Sequence, residues 1–257
     1  MSATRDEILR ELGLAPAWRL REPAPESPTA DAAPATAAAL QASEPVIVRG
    51  LPKVPPLDAR ALQIASLEWP QLRESVAGCV ACPLHKGRNK TVFGIGDEAA
   101  DWLFVGEGPG AEEDAKGEPF VGQAGKLLDN MLGAIKLKRG HNVYIANVVK
   151  CRPPGNRNPE PGEAAQCEPY LHRQIALIKP KLIVALGKVA AVNLLKRDAA
   201  VASMRGKIHQ YQGIPLIVTY HPAYLLRSLP EKAKAWVDLC FAVETMQGLQ
   251  SGKRVPI

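Results

Sequence analysis

Short apolar runs of strand length alternate with amphipathic segments of helix length from about Leu67 onward. The strand-like runs span residues 101–106, 142–149, 181–186 and 214–220. The segments with helical periodicity span residues 124–135, 162–178, 188–195 and 231–249. Alternating strands and helices are typical of a mostly parallel sheet that is covered on both faces. We therefore predict a three-layer α/β/α fold around a central, mostly parallel, four-stranded sheet.

The pattern changes toward the amino terminus. Thr4 and Glu7 have the spacing of a capping box, so a short helical segment is predicted within residues 1–21. Residues 22–66 are rich in Ala and Pro and offer little apolar surface to bury, which predicts a flexible linker. Residues 67–250 are predicted to form the α/β domain.

The charge of the chain is unevenly distributed. The 257 residues carry a net charge of +6. Residues 1–70 hold 7 basic and 9 acidic residues, which leaves 25 basic and 17 acidic residues, or +8, for the remainder. A basic folded body favours a polyanionic partner. No apolar run approaches membrane-spanning length and the first residues lack a signal-peptide pattern, so we expect a monomeric cytoplasmic protein without a membrane partner.

Four of the five cysteines have a spacing that suggests a metal site. Cys79 and Cys82 form a Cys-x-x-Cys pair, while Cys151 and Cys167 lie on either side of a loop rich in Pro, Gly and Asn. In a reducing cytosol such cysteines are more often metal ligands than disulfides. Four thiolates suit zinc and an iron–sulfur cluster equally, so the spacing leaves the metal open. Cys240 remains, and we interpret it as a small buried apolar residue.

Three loops that follow predicted strands carry candidate chemistry, at the strand ends where α/β proteins build their sites. Residues 106–110 contain three glycines, which let backbone N–H groups approach a ligand. Asn147 precedes a stiff proline-rich loop, and its amide offers a donor and an acceptor. His221 lies beside an apolar pair and an arginine in the loop of residues 220–227. Each feature also has an ordinary structural explanation. The glycines would form a tight turn, Asn147 would hydrogen-bond to the backbone of its loop, and the apolar pair would pack in the core.

At these loops the sequence resembles the family 4 uracil-DNA glycosylases, the iron–sulfur branch of the uracil-DNA glycosylase superfamily. The resemblance runs from about residue 72 to residue 242. It rests on motifs that occur together in one order: Cys79-x-x-Cys82, residues 106–110, residues 117–122, residues 147–156, Cys167 and residues 221–227. The resemblance implies an enzyme that flips uracil out of double- or single-stranded DNA and hydrolyses its N-glycosidic bond, leaving an abasic site in base excision repair.

The resemblance also implies a cofactor and a uracil pocket. The ligands of a structural 4Fe–4S cluster would be Cys79, Cys82, Cys151 and Cys167. Phe120 would stack on the flipped uracil, Asn147 would bind its N3–H and O4, and Glu113 would exclude the methyl group of thymine.

Bond cleavage leaves negative charge on the departing uracil, which preorganised donors must stabilise. By the same resemblance, His221 and the backbone N–H groups of Glu107 and Gly108 would serve at O2. Glu107 and Asn156 would orient the attacking water. Leu225 would fill the space that the flipped base vacates. Phosphate contacts are predicted for four basic residues: Lys150, Arg152, Arg157 and Arg227.

Two other interpretations compete with the glycosylase. A related branch captures uracil-DNA covalently through a histidine in an inserted loop, and no such basic insertion lies between Lys150 and Pro161. The other is an iron–sulfur or zinc module without DNA chemistry, although the wide cysteine spacing follows neither ferredoxin pattern.

Overall fold

The computed structural model describes residues 59–252, which lie within one compact unit, Val54–Ile257. The predicted helical segment of residues 1–21 and most of the predicted linker lie outside the described residues. The linker prediction is wrong at its carboxyl end, because Ala59–Ala65 form a helix whose Ile64 is buried. Within the described part of the chain, no helix is long and apolar enough to cross a membrane.

One six-stranded sheet organises the domain, in the order β1-β3-β2-β4-β6-β5. Its strands are β1 (Ile95–Gly96), β2 (Trp102–Gly106), β3 (Val143–Asn147), β4 (Leu182–Leu186), β5 (His209–Tyr211) and β6 (Ile214–Thr219). The inner four strands are parallel, whereas β1 and β5 pair antiparallel at the two edges. The mostly parallel sheet is therefore confirmed, but it has six strands rather than four. The edge strands span two and three residues, too short to show an alternating pattern in the sequence.

Nine α-helices cover or flank the sheet within residues 59–252. They are α1 (Ala59–Ala65), α2 (Trp69–Ala77), α3 (Ala111–Lys116), α4 (Gln123–Ala134), α5 (Pro161–Ile178), α6 (Lys188–Leu195), α7 (Val201–Met204), α8 (Pro222–Arg227) and α9 (Glu231–Gln250). Proline at the first position of α5 and of α8 fixes a helical φ where no N–H donor is needed. The four predicted helices correspond closely to α4, α5, α6 and α9.

Alternate side chains of the inner strands pack into two separate cores, which establishes the three layers. In β2, Leu103 and Val105 point into a core shared with α2, α5 and α6. Trp102 and Phe104 point into the opposite core, shared with α4 and α9. All five residues of β2 are buried, which explains why its sequence is apolar throughout.

The register of the parallel strands brings their carboxyl ends to one edge of the sheet. Gly106 at the end of β2 lies opposite Asn147 at the end of β3, and Leu186 at the end of β4 lies opposite Thr219 in β6. The segments that follow these four strands therefore emerge side by side, as expected for the ligand site of an open α/β sheet.

Candidate active site

A cavity of about 630 Å³ opens at the carboxyl edge of the sheet. All of the predicted catalytic and substrate-binding residues except Leu225 line it: Glu107, Gly108, Glu113, Phe120, Asn147, Asn156 and His221. These residues are spread over more than 110 positions of the sequence and come together because they follow neighbouring parallel strands. The structure thus brings the predicted site into one place.

Asn147 presents an unpaired amide to this cavity. The residue is 1% exposed, yet neither its side-chain oxygen nor its side-chain nitrogen has a hydrogen-bond partner. Buried polar groups are nearly always paired, so an amide unpaired at both ends points to a ligand that completes its hydrogen bonds. Gly106 makes room for it, because a Cβ atom there would lie 2.5 Å from Asn147 Oδ1 and 2.6 Å from Phe120 Cζ.

Phe120 forms a flat apolar wall of the cavity. Its ring centroid lies 5.5 Å from that of His221, with the two planes inclined by 31°. The backbone of Phe120 is in the left-handed region, at φ 55°, which a bulky residue adopts only when its surroundings hold it there.

Arg139 supplies much of that restraint, and the sequence motifs did not indicate it. Its guanidinium donates to the carbonyl oxygens of Pro119 at 2.8 Å and Phe120 at 2.9 Å. It also pairs with Asp129 on α4. Gly125 on the same helix packs against the Phe120 carbonyl, because a Cβ atom at Gly125 would lie 1.8 Å from that oxygen.

Glu113 ties two loops of the site together. One carboxylate oxygen accepts a hydrogen bond from the N–H of Gly110 in the glycine-rich loop. The other accepts from the N–H groups of Val121 and Gly122, directly after Phe120. The carboxylate is thereby fixed at the cavity wall. The predicted exclusion of a methyl group by Glu113 stays a prediction.

His221 is placed as a neutral hydrogen-bond donor. It precedes α8, and its Nδ1 accepts a hydrogen bond from the N–H of Ala223 at 3.2 Å. A ring that accepts at Nδ1 carries its proton on Nε2 when it is neutral. Burial, reinforced by the nearby Arg227, lowers the pKa of His221 to about 4. The imidazole is therefore uncharged at neutral pH, with one N–H available to donate.

Glu107 and Asn156 also line the cavity. Burial raises the pKa of the Glu107 carboxyl above its ordinary value, which makes it a stronger base than a solvated glutamate. Asn156 is exposed, and its Oδ1 accepts a hydrogen bond from Arg152 Nε at 2.7 Å. Both residues are thus placed at the cavity, and the predicted orientation of the attacking water by them stays a prediction.

The prediction for Leu225 is wrong in this structure. Leu225 is 1% exposed and packs with Met131 of α4 and Leu239 of α9. The reason is helical geometry, since the turn of α8 directs position 225 inward and leaves its neighbours outside. Tyr224 and Leu226 are 39% and 41% exposed, so they are the large apolar side chains that α8 presents to the surroundings.

The predicted phosphate contacts differ in placement. Lys150 is 1% exposed, which contradicts a contact with DNA phosphate. Arg157 is exposed but forms an ion pair with Glu163 at 2.7 Å, which fixes the start of α5. Arg227 is exposed at the cavity, where a phosphate contact is sterically open.

The four predicted metal ligands also meet in one place. Cys79, Cys82, Cys151 and Cys167 line a small cavity, on the face of the sheet that carries α2 and α5. Hydrogen-bond donors approach three of the sulfurs. Arg60 Nη2 lies 3.6 Å from Cys79 Sγ, Arg88 Nη1 lies 3.2 Å from Cys151 Sγ, and the Lys150 N–H lies 3.3 Å from Cys167 Sγ.

This donor set fits a thiolate-ligated group. Burial raises the pKa of the Cys167 thiol to about 12, so a bound cation is needed to deprotonate it at neutral pH. N–H donors directed at sulfur favour the thiolate form. No group of three or more His, Cys, Asp or Glu side chains among residues 59–252 is placed to hold a metal ion directly. The geometry itself therefore does not identify the group.

Comparisons with known proteins agree with the site. The model of the uracil DNA glycosylase superfamily matches residues 93–242. A type-4 uracil-DNA glycosylase of Archaeoglobus fulgidus is 46% identical over 159 residues, covering 59% of this chain and 79% of that protein. A type-4 enzyme of Pyrobaculum aerophilum is 43% identical, covering 67% of this chain and 92% of that protein. A third, from Thermotoga maritima, is 47% identical, covering 60% and 81%.

The family match covers more than half of the chain and includes the three loops that follow β2, β3 and β6. It also contains every residue that lines the cavity, from Glu107 to Arg227. The resemblance detected from the motifs is thereby confirmed, and the chain belongs to the uracil DNA glycosylase superfamily.

Proposed function

We propose that this protein is a uracil-DNA glycosylase that removes uracil from DNA by hydrolysis of its N-glycosidic bond, acting as a monomer. The observation that carries the proposal is the Asn147 amide, which is buried, unpaired at both ends and directed at a cavity with an aromatic wall. A uracil edge offers the acceptor and the donor that this amide lacks. An extruded base also needs a stacking surface, which Phe120 provides.

Asn147 also accounts for the choice of base. Its N–H donates to uracil O4 and its carbonyl oxygen accepts from N3–H. Cytosine carries an amino group and an unprotonated N3 at these positions, so both contacts would be lost and buried polar groups left unpaired. Such a mismatch separates substrates far more strongly than the loss of an apolar contact does.

The leaving uracil is stabilised as an anion by neutral donors. The Nε2–H of His221 donates to O2, and the backbone N–H groups of Glu107 and Gly108, which line the same cavity, add further donors. A neutral imidazole suits this task, because the hydrogen bond strengthens as charge develops on O2 and no proton transfer is required. Water then attacks the sugar carbon, oriented by Glu107 with its raised pKa and by Asn156.

Uracil-containing DNA is the proposed partner, held at the open side of the cavity. Arg227 contacts a phosphate beside the flipped nucleotide. Leu226 replaces Leu225 as the proposed wedge, because it is exposed on α8 next to the cavity. Entry of an apolar side chain into the base stack opposes return of the flipped base.

We further propose that the four cysteines hold a 4Fe–4S cluster. The support is the shared cavity of Cys79, Cys82, Cys151 and Cys167 and the N–H donors at three of their sulfurs. When bound, the cluster would cross-link α5 and the loop after β3 to the segment of the Cys79 pair. Iron and acid-labile sulfide analysis separates this proposal from zinc.

The test is excision from an oligonucleotide with one labelled uracil, using wild-type protein and the His221→Ala and Asn147→Ala variants. Alkali-sensitive cleavage at uracil by the wild type, greatly reduced in both variants, is the expected result. Absence of cleavage by wild-type protein that is fully loaded with the cluster would refute the proposed glycosylase activity. Adducts with uracil-DNA that survive denaturation would indicate a capture protein instead.

A further inference from the structure

Lys150 is a buried cation with neutral partners. It is 1% exposed, and its Nζ donates to the carbonyl oxygen of Asn147 at 2.9 Å and to Gln174 Oε1 at 2.6 Å. Among residues 59–252, none of the ion pairs or hydrogen bonds of this ammonium involves a carboxylate. A buried charge without a counter-charge is costly, so a compensating anion is expected close by.

The cysteine site supplies that anion. Lys150 lines the same small cavity as the four cysteines, precedes Cys151 in the chain, and donates its backbone N–H to Cys167 Sγ. A cluster held by four thiolates carries net negative charge, because the thiolates outweigh the charge of its core. The Lys150 ammonium and the Cys167 sulfur are near enough to interact electrostatically, so the negative charge of a cluster held there would attract the ammonium.

The same ammonium also fixes the residue that reads uracil. Its hydrogen bond to the Asn147 carbonyl restrains the end of β3, from which the unpaired Asn147 amide projects. Gln174 completes the network, since its Nε2 donates to the carbonyl oxygen of Phe93 at 2.9 Å. Lys150 therefore connects the cysteine site to the base pocket through two hydrogen bonds. Its backbone N–H donates to Cys167 Sγ, and its Nζ donates to the carbonyl oxygen of Asn147.

We infer that Lys150 is a positioning residue that uses the charge of the cysteine-bound cluster to hold the Asn147 amide in place for uracil. The inference rests on the proposed function and extends it, because it gives the cluster a part in base recognition. Loss of the cluster then loosens uracil binding through one identified contact, rather than through general unfolding.

A double-mutant cycle tests this coupling without relying on turnover. The dissociation constant of free uracil is measured by NMR titration for iron-loaded wild type, Lys150→Met, Asn147→Ala and the double variant. We expect Lys150→Met to weaken uracil binding by about tenfold, the equivalent of roughly one hydrogen bond. In the Asn147→Ala background the same change should have an effect within about twofold. Equal effects in both backgrounds would overturn the inference, since a merely structural role is additive.

Arg88→Met is the matched control. Arg88 also donates to Cys151 Sγ, but its guanidinium otherwise donates to the carbonyl oxygens of Cys79 and Ala77 rather than to Asn147. Both Lys150→Met and Arg88→Met should release iron to a chelator faster than wild type, because each removes a cation beside the cluster. Only Lys150→Met should weaken uracil binding. Weaker binding in Arg88→Met to the same degree would overturn the specific role of Lys150.

If Lys150→Met does not fold, Gln174→Leu enters the same cycle, because it keeps the lysine but removes one acceptor of its ammonium. Additivity with Asn147→Ala in that cycle would again overturn the inference. Wild-type protein that neither binds free uracil nor excises uracil from DNA would refute the proposed function instead. The comparison of iron release between wild type and Lys150→Met would still test whether the Lys150 ammonium pairs with the charge of the cluster.

Discussion

Replacing Asn147 by Leu should stabilise the protein while abolishing most of its activity. Leucine has the same branched shape, and the change removes two buried polar atoms that have no partners in the ligand-free protein. Leaving a buried polar group unpaired costs about 1–3 kcal/mol, less any strain from the larger methyl groups against Phe120. We expect the free energy of unfolding to rise by about 1–3 kcal/mol, or the Tm by a few degrees.

The excision rate should change in the opposite direction. Uracil O4 and N3–H would face methyl groups, so two buried polar groups of the substrate would lose their partners. At about 1–3 kcal/mol each, the two losses together should lower the single-turnover rate by about 30-fold to about 2 × 10⁴-fold.

Gln174→Leu is the matched control, since Gln174 is a buried amide with both ends paired. It should destabilise the protein by about 2–4 kcal/mol, because it leaves the Lys150 ammonium and the Phe93 carbonyl each short of one hydrogen bond. Both variants are compared with wild type by calorimetry of iron-loaded protein. The reasoning is refuted if Asn147→Leu destabilises as much as Gln174→Leu, because the amide would then be paired within the protein.

Three further predictions follow from the site. Leu225→Ala should lower the free energy of unfolding by about 2–5 kcal/mol. Leu226→Ala should leave the stability unchanged and slow the excision of paired uracil more than that of single-stranded uracil. Equal slowing of both reactions would exclude Leu226 as the wedge. The pKa of His221, followed by NMR, should be about 4 rather than 6.5, so its contribution to stability is complete above about pH 6.5 and is lost as the pH falls toward 4; His221→Gln should lack that loss. Arg139→Met should free the Phe120 loop, lower the Tm by a few degrees because two carbonyl oxygens lose their donor, and raise KM for uracil-DNA; an unchanged KM would contradict the role of Arg139 in holding Phe120.

The sequence was sufficient for the inner sheet and the long helices. Each inner strand is buried on both faces, so its apolar run is continuous, and α4, α5, α6 and α9 are long enough to show a helical period. The helices α3 and α8 span six residues each, which is under two turns and too short for periodicity to identify. The wedge role of Leu225 came from the resemblance and is not what the structure shows, since Leu225 packs in a core, as the ordinary explanation from core packing expected.

The motifs also predicted most of the residues that line the cavity, because these residues are grouped in the segments that follow β2, β3 and β6. The residues that hold the site residues in place could not be predicted from the motifs. Arg139 and Gln174 belong to no motif, and their partners lie 19 and 81 positions away in the chain. Such contacts depend on how α4 and α5 pack on the sheet, which a local pattern does not record.

The short antiparallel edges of the sheet bear on how the protein behaves at high concentration. An exposed edge strand offers unpaired N–H and C=O groups on which another chain can add as a further strand, the usual start of aggregation. Here β1 and β5 present only two and three residues at the two ends of the sheet. The long, apolar strands that would be hazardous if exposed are all internal. Within residues 59–252, the sheet therefore offers little unpaired edge on which another chain could add a strand at high concentration.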